Sequence, residues 1–251
     1  MAQKKIKKTT SAAGNSLRSA GAVRAARAPK TSSKVPRPST VLLTSLPEKE
    51  PRPVAWYVTL VLAALLFSAS TYFALKGTPT GWEYTLFMAV NGWAENWYRL
   101  FVIITFFGGT WMAVISVGLF CLAGLYRLAL RLALTSLGAY GAAYLAKHFI
   151  GRARPLELFD GVHARIAETG MGFPSGHATF ITVLTVTLLP YLPKTVRWIV
   201  AATAIGAVSL SRVYLGVHLP LDIVGGIAIG AAAVAFIHIL PKKLQRILRI
   251  N

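Results

Sequence analysis

Hydrophobic positions in this chain gather into long unbroken runs rather than alternating or recurring on one helical face. From Val54 onward each run is about 20 residues long, the length at which a helix crosses a hydrocarbon core of ~30 Å. The runs extend from Val54 to Leu75, Tyr98 to Tyr126, Ala129 to Ile150, Pro174 to Leu192, Val196 to Leu215 and about Leu219 to Leu240, which predicts six spans. Between the first two lies Gly81 to Asn96, where Trp82, Leu86, Val90 and Trp93 recur at helical spacing among polar neighbours. That pattern predicts a short helix lying in the membrane interface. Trp56, Tyr57, Tyr72, Trp97, Tyr126 and Trp198 fall near the ends of runs, as headgroup anchors do. The expected fold class is all-α, a six-transmembrane-helix bundle over residues 53–241 with an interfacial helix between the first two spans.

Residues 1–52 follow another pattern. They are rich in Lys, Arg, Ala, Ser, Thr and Pro, and their longest apolar stretch is Val41-Leu42-Leu43, so they cannot bury a core and are expected to be disordered. The segment is too polar for a secretory signal; its Arg and Ser content and few acids also fit an organelle transit peptide. The default reading is a basic cytoplasmic tail lying on anionic lipid headgroups. Residues 242–251 form a second, short basic segment, also expected on the cytoplasmic side.

Composition strengthens the membrane reading. Of 251 residues, 55% are hydrophobic and 14% charged, with a mean hydropathy of +0.55, whereas soluble domains carry about 25% charged residues. The net charge of +19 would by itself invite a nucleic-acid argument. Its distribution argues otherwise: 12 of the 27 bases lie in residues 1–52, which have no aromatic residue on which a base could stack. With the N-terminus inside, 20 bases fall on the cytoplasmic side and seven outside, namely Lys76, Arg99, Lys147, Arg152, Arg154, Arg165 and Arg212. This asymmetry predicts a multi-pass plasma (inner) membrane protein with both termini cytoplasmic. Cys121, the one cysteine, lies in an apolar run, which leaves no intramolecular disulfide and no Cys-based metal site.

Four span ends meet on the outer face, and each bears polar residues that a membrane segment does not carry without cost. Span three ends in Lys147-His-Phe-Ile-Gly-Arg-Ala-Arg154-Pro155; span four begins Pro174-Ser175-Gly176-His177; span five ends in Ser211-Arg212; His218 and Asp222 open span six. Lys147, Arg154 and Arg212 form a set of cations suited to an oxyanion, Arg being able to donate two parallel hydrogen bonds to phosphate. Ser175 and Gly176 stand where helix amides lack helical partners and point at the positive end of the dipole. His218 and Asp222, four apart, share a helical face, so the carboxylate can fix one imidazole nitrogen and leave the other free to attack. His177, from another span, is placed to protonate a leaving oxygen. No group of Asp, Glu, His or Cys has metal-ligand spacing, so neither metal nor cofactor is expected. Arg152, Arg165 and His163 read as exposed loop residues.

These three segments resemble the signature of the type 2 phosphatidic acid phosphatase superfamily, its membrane lipid phosphate phosphatase branch. The matches are Lys, six residues, Arg-Pro; then Pro-Ser-Gly-His; then Ser-Arg, five residues, His, three residues, Asp. The 18 residues between Pro155 and Pro174 and the 33 between His177 and Ser211 also suit that family. The resemblance implies a six-helix membrane enzyme that removes phosphate from lipid phosphates through a phosphohistidine, without metal. By position, His218 would be the nucleophile, Asp222 its orienting partner and His177 the general acid and later base. Lys147, Arg154, Ser175, Gly176 and Arg212 would hold the phosphate.

An outward-facing site makes undecaprenyl diphosphate the leading substrate, because such carriers are released on the outer leaflet; phosphatidylglycerophosphate or phosphatidate is the alternative. A lipid phosphotransferase would use the same residues. A non-catalytic carrier would not need the His-Asp pair, and an intramembrane Ser protease would need a glycine where Phe173 stands. The expected partners are the lipid substrate and the bilayer, with no nucleic acid and no obligate protein partner.

Overall fold

A computed structural model of the chain describes residues 53–76, 79 and 81–248, and every regular element among them is helical. The tail of residues 1–52, with its expected disorder and lipid contact, lies outside the described residues, as do residues 249–251 of the basic C-terminal segment. In chain order the helices are α1 (Pro53–Ala74), α2 (Gly81–Asn91), α3 (Tyr98–Phe106), α4 (Thr110–Leu122), α5 (Tyr126–Ile150), α6 (Pro155–Leu158), α7 (Gly176–Leu188), α8 (Arg197–Tyr214), α9 (Pro220–Ile239) and α10 (Lys242–Ile247). Single 3₁₀ turns precede α3 and follow α7.

Helix α1 is apolar nearly all round, and it exposes Val58, Val61, Leu62 and Leu65 along its outer surface. In water that surface would be untenable; against lipid tails it costs nothing, and the helix satisfies its own backbone hydrogen bonds. Among the described residues three helices, α1, α5 and α9, are long and apolar enough to cross a membrane, and α3 with α4, bent by 49°, form either a broken span or a re-entrant loop, so three or four crossings are seen where the hydropathy predicts six. The chain is an integral membrane protein.

The predicted second span is therefore not one straight helix. It breaks at Phe107–Gly109, and the reason lies across the bundle: a Cβ on Gly108 would stand 2.6 Å from Val208 and 3.1 Å from His177. Glycine lets the break approach α7 and α8 this closely. Helix α7 has 13 residues, about 20 Å of rise, shorter than its apolar run suggests. It needs no lipid-facing length, since Thr179, Phe180, Ile181, Thr182 and Val183 are all buried. Two of its threonines satisfy their hydroxyls locally, Thr179 donating to the Ser175 carbonyl at 2.9 Å and Thr182 to that of Ala178 at 2.8 Å.

Helix α9 is the centre of the bundle, packed against α1, α5 and α7. Gly226 and Gly230, one turn apart, make the α7 contact possible: Cβ atoms there would lie 2.4 Å from the Ser175 carbonyl oxygen and 2.5 Å from that of Thr179. Small residues at this spacing allow membrane helices to touch backbone to backbone. The approach brings the N-terminal ends of α7 and α9 together, where the Ser175 amide donates to the Asp222 carbonyl at 2.9 Å.

Helix α2 covers Gly81–Asn91 of the stretch where a short helix was expected; the face it packs is Glu83, Phe87, Val90 and Asn91, while Trp82 and Leu86 are exposed. Trp56, expected as a headgroup anchor, is buried instead and stacks on His238 with ring centroids 4.1 Å apart. Aromatic surface near a span end is as readily spent on a neighbouring helix as on headgroups.

Candidate active site

Helix α5 delivers Lys147 in its last turn and stops at Gly151, whose φ of 63° is left-handed and whose amide caps the Lys147 carbonyl. The reversal sends Arg152 and Arg154 back toward the bundle rather than outward. Pro155 then opens α6 at a position where the missing amide costs nothing. Ser175 caps α7, its hydroxyl accepting from the Ala178 amide at 3.5 Å. Arg212 lies in the last turn of α8. Asp222, at the third residue of α9, reaches back to accept from the Leu219 amide at 2.8 Å. Lys147, Ser175, Arg212 and Asp222 are thus set at helix ends, whereas His218, expected on the same helical face as Asp222, lies in the connection before α9, with Leu219 extended between it and the helix.

The cations converge on backbone oxygens and one carboxylate. Lys147 Nζ donates to the Met171 carbonyl at 2.6 Å. Arg154 donates to the carbonyls of Gly170 (2.9 Å), Val217 (2.9 Å) and Thr169 (3.2 Å), and pairs with Glu168 at 3.0 Å. Arg212 donates to Thr105 Oγ1 at 3.0 Å and also pairs with Glu168. One carboxylate thereby bridges two arginines. Burial alone would raise the Glu168 pKa, but the Arg212 charge and hydrogen bond, with His218 and Arg154, hold it down to about 2.

His218 is 2% exposed, and its Nδ1 stands 3.5 Å from Asp222 Oδ2. Burial, followed by the nearby charges of Arg212, Lys147 and Arg154, holds its pKa well below the ordinary value, so the ring is neutral at neutral pH and carries a free lone pair. His177 is half-buried at the start of α7, against the Gly108–Gly109 break: a Cβ on Gly109 would lie 3.6 Å from its Nε2. The break in the second span is thus what makes room for this imidazole.

All eight residues singled out from the sequence lie around this one cluster of helix ends. Three that the sequence reading passed over lie there too. Arg152, expected as an exposed loop residue, is 4% exposed and donates to both Glu83 and Asp222. Glu83, from α2, is fully buried. Glu168 was hidden in a loop without a translatable pattern. Arg165 was also expected to be exposed; instead it stacks on Tyr214 at 4.1 Å and donates to Glu95 and to the carbonyls of Asn91, Trp93 and Tyr214. It ties the loop to the α2–α3 connection. His163 is exposed as expected. The signal that could have flagged Arg152 and Glu83 was their charge beside long apolar runs, since such a charge needs a partner.

Among the described residues no group of three or more His, Cys, Asp or Glu could hold a metal ion. What the cluster offers is a neutral imidazole with a carboxylate 3.5 Å away, a second imidazole, the Gly176 amide at the start of α7 and three cations. That set can bind a phosphate, attack it and protonate its leaving oxygen.

Comparison with known proteins bears on the family and the fold. Residues 127–246 match the model of the PAP2 superfamily. The chain is 28% identical over 181 residues to an undecaprenyl-diphosphatase of Sulfolobus acidocaldarius, covering 70% of this chain and 87% of that protein. It is 33% identical over 109 residues to phosphatidylglycerophosphatase B of Bacillus subtilis, covering 40% of this chain and 51% of that protein. Among solved structures its fold resembles Aquifex aeolicus LpxE, with a TM-score of 0.55 at 20% identity over 61% of this chain and 92% of that one. It also resembles a transmembrane PAP2-type phosphatidylglycerolphosphate phosphatase from Bacillus subtilis, with a TM-score of 0.51 at 24% identity over 77% of this chain and 96% of that one.

Proposed function

Residues 127–246 belong to the PAP2 superfamily, and on that premise we propose that this membrane phosphatase hydrolyses a lipid phosphate or diphosphate on the extracytoplasmic face, through a phosphohistidine on His218. The observation that carries the reading is the buried, neutral His218 backed by Asp222 and set beside Lys147, Arg154 and Arg212.

In the first step the His218 nitrogen turned away from Asp222 attacks phosphorus; the N–P bond forms as the bond to the leaving oxygen breaks, and His177 supplies that oxygen with a proton. The negative phosphate favours the protonated form of His177 before this step. Next, His177 takes a proton from water, the hydroxide oxygen bonds to phosphorus, and the N–P bond breaks to release phosphate and restore His218. The three cations and the Gly176 amide stabilise the charge on the non-bridging oxygens throughout; the Ser175 amide, expected from the sequence to join them, is taken by the Asp222 carbonyl. Asp222 holds the tautomer of His218 and offsets the charge its ring acquires.

An apolar groove of about 620 Å³ between α1, α5 and α9 supports a lipid substrate. It is lined by Phe67 and Ala146, among others; Ala146 adjoins Lys147, and the Phe67 ring lies 5.9 Å from that of Phe173 beside the α7 cap. A hydrocarbon chain can run from the phosphate site along this wall. In the six-span reading, with α2 interfacial, the distribution of Lys and Arg supports cytoplasmic termini and a site at the outer leaflet. That placement favours undecaprenyl diphosphate over phosphatidylglycerophosphate or phosphatidate.

Phosphate release from these three lipids in detergent micelles tests the reading. Turnover should be fastest with the diphosphate, and His218→Ala should abolish it while the variant remains folded. Undiminished turnover in that variant would remove His218 from the mechanism. A phosphorylated acceptor lipid in place of free phosphate would make the chain a transferase.

A further inference from the structure

Arg152 lies between two buried carboxylates. Its Nη1 donates to Glu83 Oε1 at 3.0 Å and to Asp222 Oδ1 at 2.9 Å, and its Nη2 donates to Glu83 Oε2 at 2.6 Å. Glu83 Oε1 also accepts the Leu221 amide at 3.0 Å, so α2 is bonded directly to the first turn of α9. Asp222 Oδ2 accepts the Leu219 amide and faces His218. Both Asp222 oxygens are therefore assigned: one belongs to Arg152, the other is presented to the imidazole.

The charges make the arrangement more than a brace. Asp222 with Arg152 alone would be a neutral pair, and a neutral pair does little for an imidazole whose ring must take on positive charge as phosphorus bonds to it. Glu83 returns the trio to a net charge of −1. Its cost of burial is offset by three donor contacts, two from Arg152 and one from the Leu221 amide, as a buried ion network requires. Glu83 also lies outside the residues 127–246 that match the family model, so this part of the site comes from the preceding segment of the chain.

We propose that Glu83 and Arg152 are positioning residues for the reaction at His218: Arg152 fixes the Asp222 carboxylate, and Glu83 cancels the arginine's charge so that Asp222 acts on His218 with its full negative charge. The inference rests on the reading of His218 as nucleophile. The groups facing His218 are Asp222 from α9, Lys147 from α5, Arg212 from α8, and Arg154 and Glu168 from the segment between α5 and α7; none of them is changed in the variants that follow.

The test is charge bookkeeping read through the pH dependence of kcat/KM, with purified, monodisperse protein in detergent. Glu83→Gln leaves the trio neutral, disfavours the imidazolium and moves the acid limb to lower pH by about one unit, with kcat down about 10- to 100-fold at little change in KM. Arg152→Gln leaves it at −2 and moves the limb to higher pH. The double variant restores −1 and returns the limb to the wild-type position. Opposite shifts with recovery in the double variant cannot come from loosened packing, and Arg152→Gln with the double variant suffices if Glu83→Gln does not fold. An acid limb unmoved in folded variants, or moved the same way in both, overturns the proposal. His218→Ala is measured alongside: activity surviving there refutes the nucleophile reading itself, whereas an inactive His218→Ala with unmoved limbs refutes only the role of Glu83 and Arg152.

Discussion

Glu168 holds the two guanidinium groups that a phosphate would need, and its replacement gives a direct measure of that competition. Its carboxylate pairs with Arg154 at 3.0 Å and with Arg212, in the manner of two non-bridging phosphate oxygens. Charge-assisted contacts of this kind are worth about 1.5–3 kcal/mol each when fully buried. The Glu168 side chain is 27% exposed, and water takes back part of that gain. Arg154 and Arg212 also keep their other partners, the carbonyls of Gly170, Thr169 and Val217 and the hydroxyl of Thr105. A net of about 1.5 kcal/mol for displacing the carboxylate is reasonable, roughly a tenfold effect on anion affinity. Glu168→Gln and Glu168→Ala should both bind inorganic phosphate and orthovanadate about tenfold more tightly, measured as inhibition constants against lipid phosphate hydrolysis at pH 7. Tighter retention of product phosphate should accompany this, so turnover falls where release limits the rate. Inhibition constants within twofold of wild type, or weaker in both variants, would refute the idea that Glu168 and phosphate share the same donors.

The environment of His218 and the seam between α7 and α9 give two further expectations. Because burial and the surrounding cations disfavour protonation of His218, its neutral, attacking form persists as pH falls below the ordinary histidine range of about 6.5; the acid limb of kcat/KM should lie well below that value, and a limb at or above it would contradict the buried, cation-flanked environment. At Gly226 a Cβ would stand 2.4 Å from the Ser175 carbonyl, so Gly226→Ala must push the α7 cap away from α9, with a stability loss of about 1–3 kcal/mol and reduced activity, both measurable by thermal unfolding and phosphate release in the same detergent.

Much of the site was legible in the chain because its parts are local. The placing of Ser175 at the start of α7 and the closeness of His218 to Asp222, four residues on, are properties of a few consecutive residues, although His218 lies before α9 and not on its face. The Lys and Arg of the signature were readable because cations at the ends of apolar runs stand out.

The parts that were missed are those in which the partner is remote. Glu83 and Arg152 are 69 residues apart, and Arg152 and Asp222 are 70 apart; a charge beside an apolar run signals that Arg152 needs a partner, but nothing near it in the chain says which. The straight second span was a fair reading of its hydropathy, but the break at Gly108 answers to Val208 and His177, which approach it only in the folded bundle. The face that α2 packs was misread because its aromatic residues outnumber its one acid, and the acid is what the bundle buries.

Sequence alone therefore determined the membrane character, the helical class and the chemical inventory of the site, since run length, capping and i to i+4 spacing act within a turn or two of chain. Tertiary structure decided which charges are buried, which carboxylate faces which cation and where a helix must break. A charge can leave water only where a counter-charge and hydrogen-bond partners already stand, and for Glu83, Arg152 and Glu168 those partners come from other helices and loops.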